Sequence, residues 1–541
     1  MIDTKALREK VLDLAIRGKL VPQDPTDEPA SVLLERIREQ KKQMVKEGKL
    51  KAKDIKDDSV IFVGADNLHY EKFADGSVKC IEDEIPFGIP GSWTWVRLGS
   101  LAQYKKGPFG SSITKSMFVP DSTSAIKVYE QKNAINKDAS LGNYFISEDK
   151  YESLKGFEIF PNDIIVSCAG TIGETYVMPE TMRKGIINQA LMKISLYDLR
   201  MIDFYLIYFD CQLKSTAREQ GYGVALKNIP PFDVLKKYLV PIPPHEEQAR
   251  IVDSVNNLLG TVDDIDMISG ELNDLIVSVK SKILDLAVRG KLVPQGPADE
   301  PASVLLERII AEKEELIKQG KIKRDKKESI IFKGEDNSYY RTNGKTIESC
   351  DNLPFDLPKG WIWTSLGQYC EKVTDQVASG SFAALRENVV SLKEPSYALM
   401  VKTADFSNGF TKNLTYTDKH GYEFLENSNL FGGELILSNI GSIGKVFIVP
   451  DLNCKMTLAP NSVMIRLTNN EYRDYLYYFL QSPTGYEELK AISTGVAMLK
   501  FNKTDLKTIY FPLPPFAEQK RIVEAIEIAF TQLDEITSSI S

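Results

Sequence analysis

The sequence predicts a mixed α/β (α+β) fold: two mixed α/β domains joined by long antiparallel coiled-coil helices, with a pseudo-two-fold internal repeat. Three observations carry that expectation. First, the chain says nearly the same thing twice. Val11–Ile37 and Ile283–Ile309 are identical at 23 of 27 positions, and a long-period duplication sets the architecture before any local reading. Second, an apolar stripe runs from Ile251 to Leu286 at strict 4,3,4,3 spacing without a proline, the pattern of a long coiled-coil helix. Third, the stretches between the repeated segments resemble each other only weakly and hold short strand-like runs.

In chain order, Leu7, Val11 and Leu14 match Val279, Ile283 and Leu286, so residues 2–17 copy the second half of the central helix. Arg-Gly-Lys-Leu-Val-Pro follows at 17–22 and again at 289–294, with Gly290 placed to cap the helix before it. Glu-Pro-Ala-Ser-Val-Leu-Leu-Glu-Arg-Ile then opens a second helix in each copy, with Ser31 and Ser303 as candidate N-caps. Those helices end in basic runs: Lys46, Lys49, Lys51, Lys53 and Lys56 in one, Lys318, Lys321, Lys323, Arg324, Lys326 and Lys327 in the other. Such cations suit a solvated helix C-terminus, and they also suit phosphate contact.

The central helix lies between Pro241-Ile-Pro-Pro244 and Gly290. Glu246 and Glu247 fall in its first turn, where the helix dipole favours anions. Its length is on the order of 65 Å, and Gly260 and Gly270 each weaken it by about 1 kcal/mol. Near the C-terminus Pro512-Leu-Pro-Pro515 and Glu518-Gln-Lys-Arg521-Ile-Val repeat Pro241-Ile-Pro-Pro244 and Glu247-Gln-Ala-Arg250-Ile-Val. The stripe resumes there through Ile522, Ile526, Ala529, Leu533, Ile536 and Ile540. The duplication is therefore cut inside a helix, and its two terminal halves are expected end to end beside the central one, with the termini as neighbours. The expected organisation is a helical frame region over 1–84, a mixed domain over 85–244, a central region with the long helix over 245–352, a second mixed domain over 353–515 and a closing helix over 516–541.

Each variable stretch opens on a tryptophan pair, Trp93 and Trp95 or Trp361 and Trp363. Spacing of two puts each pair on one strand face, as core packing. Asp163-Ile-Ile-Val-Ser and Glu434-Leu-Ile-Leu-Ser read as strands. Paired landmarks survive: Ala169-Gly-Thr-Ile-Gly173 with Ile440-Gly-Ser-Ile-Gly444, Gly223-Val-Ala with Gly495-Val-Ala, and Asn188-Gln-Ala-Leu with Asn461-Ser-Val-Met. Between them the sequences diverge.

Composition narrows the functional classes. The net charge is −8, yet Arg97–Val240 carries 18 basic and 15 acidic residues and Leu366–Phe511 carries 14 and 15. The acidity sits on the repeated frame, and the near-neutral contents suit recognition by a few placed cations better than non-specific phosphate binding. Six scattered cysteines form no zinc or disulfide spacing. No apolar run is long enough to span a bilayer and no signal-peptide pattern opens the chain, so a cytoplasmic location is expected. His69, His245 and His420 make no metal pattern. Gly441-Ser-Ile-Gly-Lys445 lacks the phosphate-loop spacing. Asn228-Ile-Pro-Pro-Phe232 has Ile229 inserted into the Asn-Pro-Pro-Phe of amino-methyltransferases. No catalytic residue is assigned.

Two unlike domains framed by duplicated segments with L-[AV]-x-[RQ]-G-K-L-V-P-Q and P-[LI]-P-P-x-x-E-Q-x-R-I-V resemble the specificity subunit of type I restriction–modification enzymes. The resemblance covers nearly the whole chain and includes the domain openings Gly-Pro-Phe-Gly-Ser (107–111) and Gly-Ser-Phe-Ala (380–383). It implies a non-catalytic DNA-binding subunit of a phage-defence restriction system. Each target-recognition domain would read one half of a bipartite, asymmetric site in double-stranded DNA, and the helices would fix the spacing. It also implies two methyltransferase (modification) subunits docked on the frame, restriction/motor subunits, and no cofactor on this chain, S-adenosylmethionine belonging to the methyltransferases. A coiled-coil adaptor without DNA contact and a self-contained methyltransferase or nuclease are the other classes.

The recognition residues expected from polar, cationic loop composition are Lys105, Lys106, Ser111, Ser112 and Lys115 in the first domain and Ser381, Arg386, Asn388 and Lys402 in the second. Such side chains suit base edges and phosphates.

Overall fold

In the computed structural model the chain forms two compact units, Ile2–Ile268 and Ser269–Ser541, and the division falls inside one continuous helix, His245–Val288. The structure describes residues 2–56, 58–168, 171–219, 232–324, 330–342, 345–350, 353–441, 443–495 and 499–540. Gly223-Val-Ala, Asn228-Ile-Pro-Pro, Ala169-Gly and the Lys326-Lys327 end of the second basic run lie outside them, as do Ser442 and Val496-Ala.

The first unit begins with the helix Thr4–Ile16, which runs opposite to the first part of the central helix. The pairings fix that direction: Arg8 bonds Asp263 and Asp266, while Gln23 and Asp27, further along the chain, bond Glu247 and Arg250. In the second unit the same order recurs between the rest of the central helix and Phe516–Ile540. Lys280 bonds Asp534 at 2.5 Å, and Gln295 and Asp299 meet Glu518 and Arg521. Along the stripe, Ile251, Val255, Val262 and Ile276 are buried, whereas Leu258 and Val279 stay exposed. Gly290 ends the central helix at φ +63°, with the Lys291 amide donating to Leu286, and Gly18 does the same for Thr4–Ile16 at φ +65°. A Cβ on Gly18 or Gly290 would also stand 2.5 or 2.4 Å from a proline, Pro90 or Pro358. The turn and the close approach both require glycine there.

The two frame motifs meet in space. Glu247 is fully buried and accepts from Gln23 Nε2 at 2.6 Å, beside Trp93. Arg250 pairs with Asp27 at 2.5 Å. In the second unit Glu518 accepts from Gln295 Nε2 at 3.1 Å and from the Trp361 indole at 2.9 Å, and Arg521 pairs with Asp299 at 2.6 Å.

Three expectations are corrected. Ser31 and Ser303 do not cap: the helices are Ala30–Lys46 and Ala302–Lys318, with Pro29 and Pro301 in the cap position. Proline offers no side-chain acceptor. The first amides are met instead across the fold, Ala30 donating to Ser92 and Ala302 to Gly360. The region 1–84, expected as helical, also holds strands, and so does 245–352 beside its long helix. Each holds a three-stranded sheet, Ser59–Val63 with His69–Phe73 and Val78–Cys80, and Ile330–Lys333 with Tyr339–Thr342 and Ile347–Ser349. Apolar β-formers flank Asp-Asn turns whose Asn67 and Asn337 take φ +63° and +67°. The tryptophans are core, as expected, but Trp93 and Trp95 enter different clusters. Trp93 just precedes its strand and packs on Phe204, while Trp95 packs on Phe87.

Beyond the frame each unit carries, among the described residues, two four-stranded sheets in matching order. In the first unit these are Thr175–Val177, Ile164–Ser167, Leu191–Leu196, Ala102–Lys106, and Phe145–Ile146, Ile126–Tyr129, Gly185–Ile187, Glu158–Ile159. In the second they are Val446–Ile448, Leu435–Ser438, Ser462–Arg466, Lys372–Asp375, and Tyr416–Thr417, Ala398–Val401, Met456–Leu458, Asn429–Leu430. The second sheet of each set has one parallel pair, 126–129 with 185–187 and 398–401 with 456–458. No helix among the described residues is long and apolar enough to cross a membrane.

Replacing Glu518 by alanine strands the buried Trp361 indole and is expected to cost about 2 kcal/mol, read as a lowered urea midpoint followed by tryptophan fluorescence. A second test uses the bidentate Arg97–Glu71 pair, which ties the small sheet to the strand Thr94–Arg97. Burial raises the Glu71 carboxyl, but hydrogen bonds from Arg97 and Ser59 outweigh it and hold the group below the ordinary range. The stabilisation is therefore complete above about pH 4.3 and is lost as pH falls through the lower folded value. Arg97→Met should cost about 3 kcal/mol at neutral pH, and the gap in urea midpoints from wild type should close in acid.

Candidate nucleic-acid interface

The first domain opens on the strand Ala102–Lys106, at the edge of its sheet. Lys105 lies opposite Lys193 and Lys106 opposite Met192. Alternation sends the two lysines to different faces. The Lys105 ammonium sits 5.0 Å from the centre of the Phe157 ring, while exposed Lys106 has no hydrogen-bond or ion-pair partner among the described residues. The chain then turns through Gly107 against the sheet. The Gly107 amide donates to Leu191, and a Cβ there would stand 1.8 Å from the Asn188 carbonyl oxygen. Asn188 itself closes a turn by accepting from the Ala190 amide. One sequence landmark is thus the floor under the other.

Pro108 and Ile113 are buried and fasten both sides of the loop. Between them Ser111 is exposed and Ser112 is half-buried in a short turn, and beyond Ile113 Lys115 is exposed. The five residues expected here occupy one strand end and one continuous loop.

In the second domain three of the four expected residues share the short helix Phe382–Asn388 or its cap. Ser381 is the cap, its Oγ accepting from the Ala384 amide at 3.3 Å. Arg386 is exposed without an ion-pair partner among the described residues. Asn388 donates to the Ala384 carbonyl and its Oδ1 lies 3.0 Å from His420 Nε2. Lys402 stands apart from them. It ends the strand Ala398–Val401, and its ammonium donates to the Asn413 carbonyl and Thr415 Oγ1 at 2.9 and 3.1 Å. It braces a corner of the second sheet: the Lys402 amide donates to Asp405 Oδ2, as the Glu130 amide donates to Asn133 Oδ1 at the matching place in the first domain.

Composition alone missed a second matched feature. Lys193 stands 3.8 Å from buried Asp163 and lies over Phe160, and Arg466 stands 2.9 Å from buried Glu434 and lies over Phe431. Burial lowers the Lys193 ammonium and likewise Lys372, which pairs across from Arg466. The carboxylates also receive backbone amides, Phe160 for Asp163 and Phe431 with Gly432 for Glu434. The aligned Asp163 and Glu434 at the head of the strand-like runs are the signal that could have found it. No cluster of histidine, cysteine and carboxylate side chains able to hold a metal occurs among the described residues. What the openings offer is a set of backbones held in place by neighbouring segments and presenting cations, hydroxyls and apolar rings.

The family model described as the type I restriction modification DNA specificity domain matches residues 90–273 and 384–540. The type I restriction enzyme EcoEI specificity subunit of Escherichia coli is 26% identical, over 99% of this chain and 90% of its own length. The EcoAI specificity subunit of the same organism is 27% identical, over 97% and 88%. A crystal structure of the HsdS subunit from Thermoanaerobacter tengcongensis is 16% identical, covering 85% of this chain and 94% of that one at a TM-score of 0.43. With the matched segments spanning more than half of its length, the chain belongs to the type I restriction modification DNA specificity family.

Proposed function

We propose that this chain is the DNA sequence-recognition subunit of a type I restriction–modification complex, each recognition domain reading one half of a bipartite, asymmetric duplex target. The observation that carries this reading is the pairing of like scaffolds with unlike openings. Both domains have the same sheet order. Yet where one presents Lys106 at a strand end and Ser111 and Lys115 on the loop after it, the other presents Ser381 and Arg386 on a capped helix. A scaffold of that kind can place two different sets of donors against two different base sequences.

The assignments within the openings are graded by their surroundings. Lys106 and Lys115, solvated and unpaired, serve phosphates. Arg386, whose planar fork can bond guanine O6 and N7 together, reads a base. Ser111, Ser112, Ser381 and Asn388 supply shorter polar contacts, and Lys105 and Lys402 hold the loop bases in place. The frame acts as a pseudo-two-fold antiparallel coiled coil that spaces the domains. Its repeated surfaces seat two methyltransferase subunits, which bind S-adenosylmethionine and carry the chemistry, and restriction/motor subunits join for cleavage. This chain supplies the address and no catalytic group.

Mapping methylated sites in cells that carry the modification partner, with and without this chain, tests the assignment: a two-part consensus should appear only with it. A purified chain that binds no duplex, with or without that partner, would overturn it. Arg386→Ala should lose about 10-fold affinity and relax sequence preference in one half-site only. Lys106→Gln should weaken binding evenly across sequences and reduce the slope of log K against log salt by about 1.

A further inference from the structure

Two phenylalanines stand where a folded protein has no use for them. Phe109 is 88% exposed and Phe382 is 76% exposed, the highest values among the exposed large apolar side chains of the described residues. Each follows the opening strand of its domain and stands two residues after a glycine, Gly107-Pro-Phe109 and Gly380-Ser-Phe382, although the sequences around them have diverged. Neither ring makes a contact with another ring or a cation among the described residues. Phe160 and Phe431, in contrast, lie under Lys193 and Arg466 and have a local partner.

The backbones that carry the rings are fixed. Phe109 sits between buried Pro108 and the short turn Gly110–Ser112, whose Ser112 amide donates to the Phe109 carbonyl. Gly107 beneath it touches the Asn188 carbonyl. Phe382 is the first residue of a helix capped by Ser381, and buried Leu385 anchors the next turn. Neither ring is the tip of a loose loop that could fold back on the protein. Each is held outward beside an unpaired cation, Lys106 in one domain and Arg386 in the other.

Resting on the reading that the chain binds duplex DNA, we infer that Phe109 and Phe382 are wedges, one for each half-site, that enter the base stack when the neighbouring cations engage the duplex. An apolar ring is the group that can part a base step without needing a hydrogen-bond partner. The surface it leaves in water in the free protein becomes buried between bases. Because the backbone is already set, little order has to be gained on binding. The wedge adds a kind of specificity that polar loops lack, since the step that opens most easily is favoured.

The test uses the full chain with its modification partner and a pool of randomised duplexes, sequenced after capture. The selected duplex is then remade with 2-aminopurine at successive positions. Binding of the wild-type complex should brighten the probe at one step in each half. Phe109→Ala should abolish one of those signals and Phe382→Ala the other, each with about a 10-fold loss of affinity and with unchanged circular dichroism. Phe109→Trp and Phe382→Trp should retain both signals. Alanine variants that bind and brighten the probe as wild type does would overturn the wedge while leaving DNA recognition intact. A loss of affinity with no local brightening in the wild-type complex would also overturn it, placing the rings against base edges. A wild-type complex that selects no duplex would overturn the DNA reading itself.

Discussion

A buried carboxylate at the start of a long helix organises each half of this protein. Glu247 and Glu518 lie in the first turns of their helices, where free amides and the helix dipole favour an anion. Burial pushes the Glu247 carboxyl up, against the opposing hydrogen bond from Gln23. What makes the position tolerable is the company: a glutamine from the segment after the preceding frame helix, a tryptophan from the domain opening, and an arginine one turn on that pairs with an aspartate. Three segments far apart in sequence converge on one charged group. A buried charge left without its partners is expensive, so the segments hold their register together or not at all.

The rest of each unit is built outward from that junction. The glycine after each frame helix must be glycine because a proline and a tryptophan of the domain opening press against it. The next helix has its first amide met by the same opening. Buried Lys41 donates to the Ser100 carbonyl at 3.4 Å, and Lys313 to the Gly367 carbonyl at 2.6 Å, which fastens each helix to its strand-bearing domain. The domain is therefore not hung on the frame by a linker. Its first strand is part of the frame's core, and freedom to vary begins only at the loops beyond it. That is a sound arrangement for recognition, since contact geometry is only as good as the shell that fixes it.

The same logic separates residues that look alike in sequence. Lys106 and Lys402 were both cations in polar surroundings. One remains in solvent, and the other is spent on a carbonyl and a hydroxyl within its own domain. Asn388 is likewise tied to the helix behind it and to His420. Phe109 and Phe382 would ordinarily be counted toward a core on composition, yet they are the most exposed large apolar side chains among the described residues. Loop composition reports what a segment can bond to, and only packing reports what it already bonds to.

The duplication, the long helix with its acidic first turn and glycine end, the tryptophan cores and the strand-like runs at 163–167 and 434–438 were all legible in the sequence. Each rests on local rules, namely spacing along the chain, backbone freedom and apolar periodicity. The three-stranded sheets escaped because they are short and sit inside otherwise helical repeats, punctuated by brief turns such as those at Asn67, Gly76 and Asn337. The caps were misplaced because the first amide of each helix finds a carbonyl from another segment, Ser92 or Gly360, and not a neighbouring hydroxyl. By itself the sequence determined that two repeated motifs frame two unlike domains. Only the tertiary structure decided that the motifs are two halves of one junction, and which cations and rings remain free, because hydrogen bonds and burial between residues hundreds of positions apart leave no period in the chain to read.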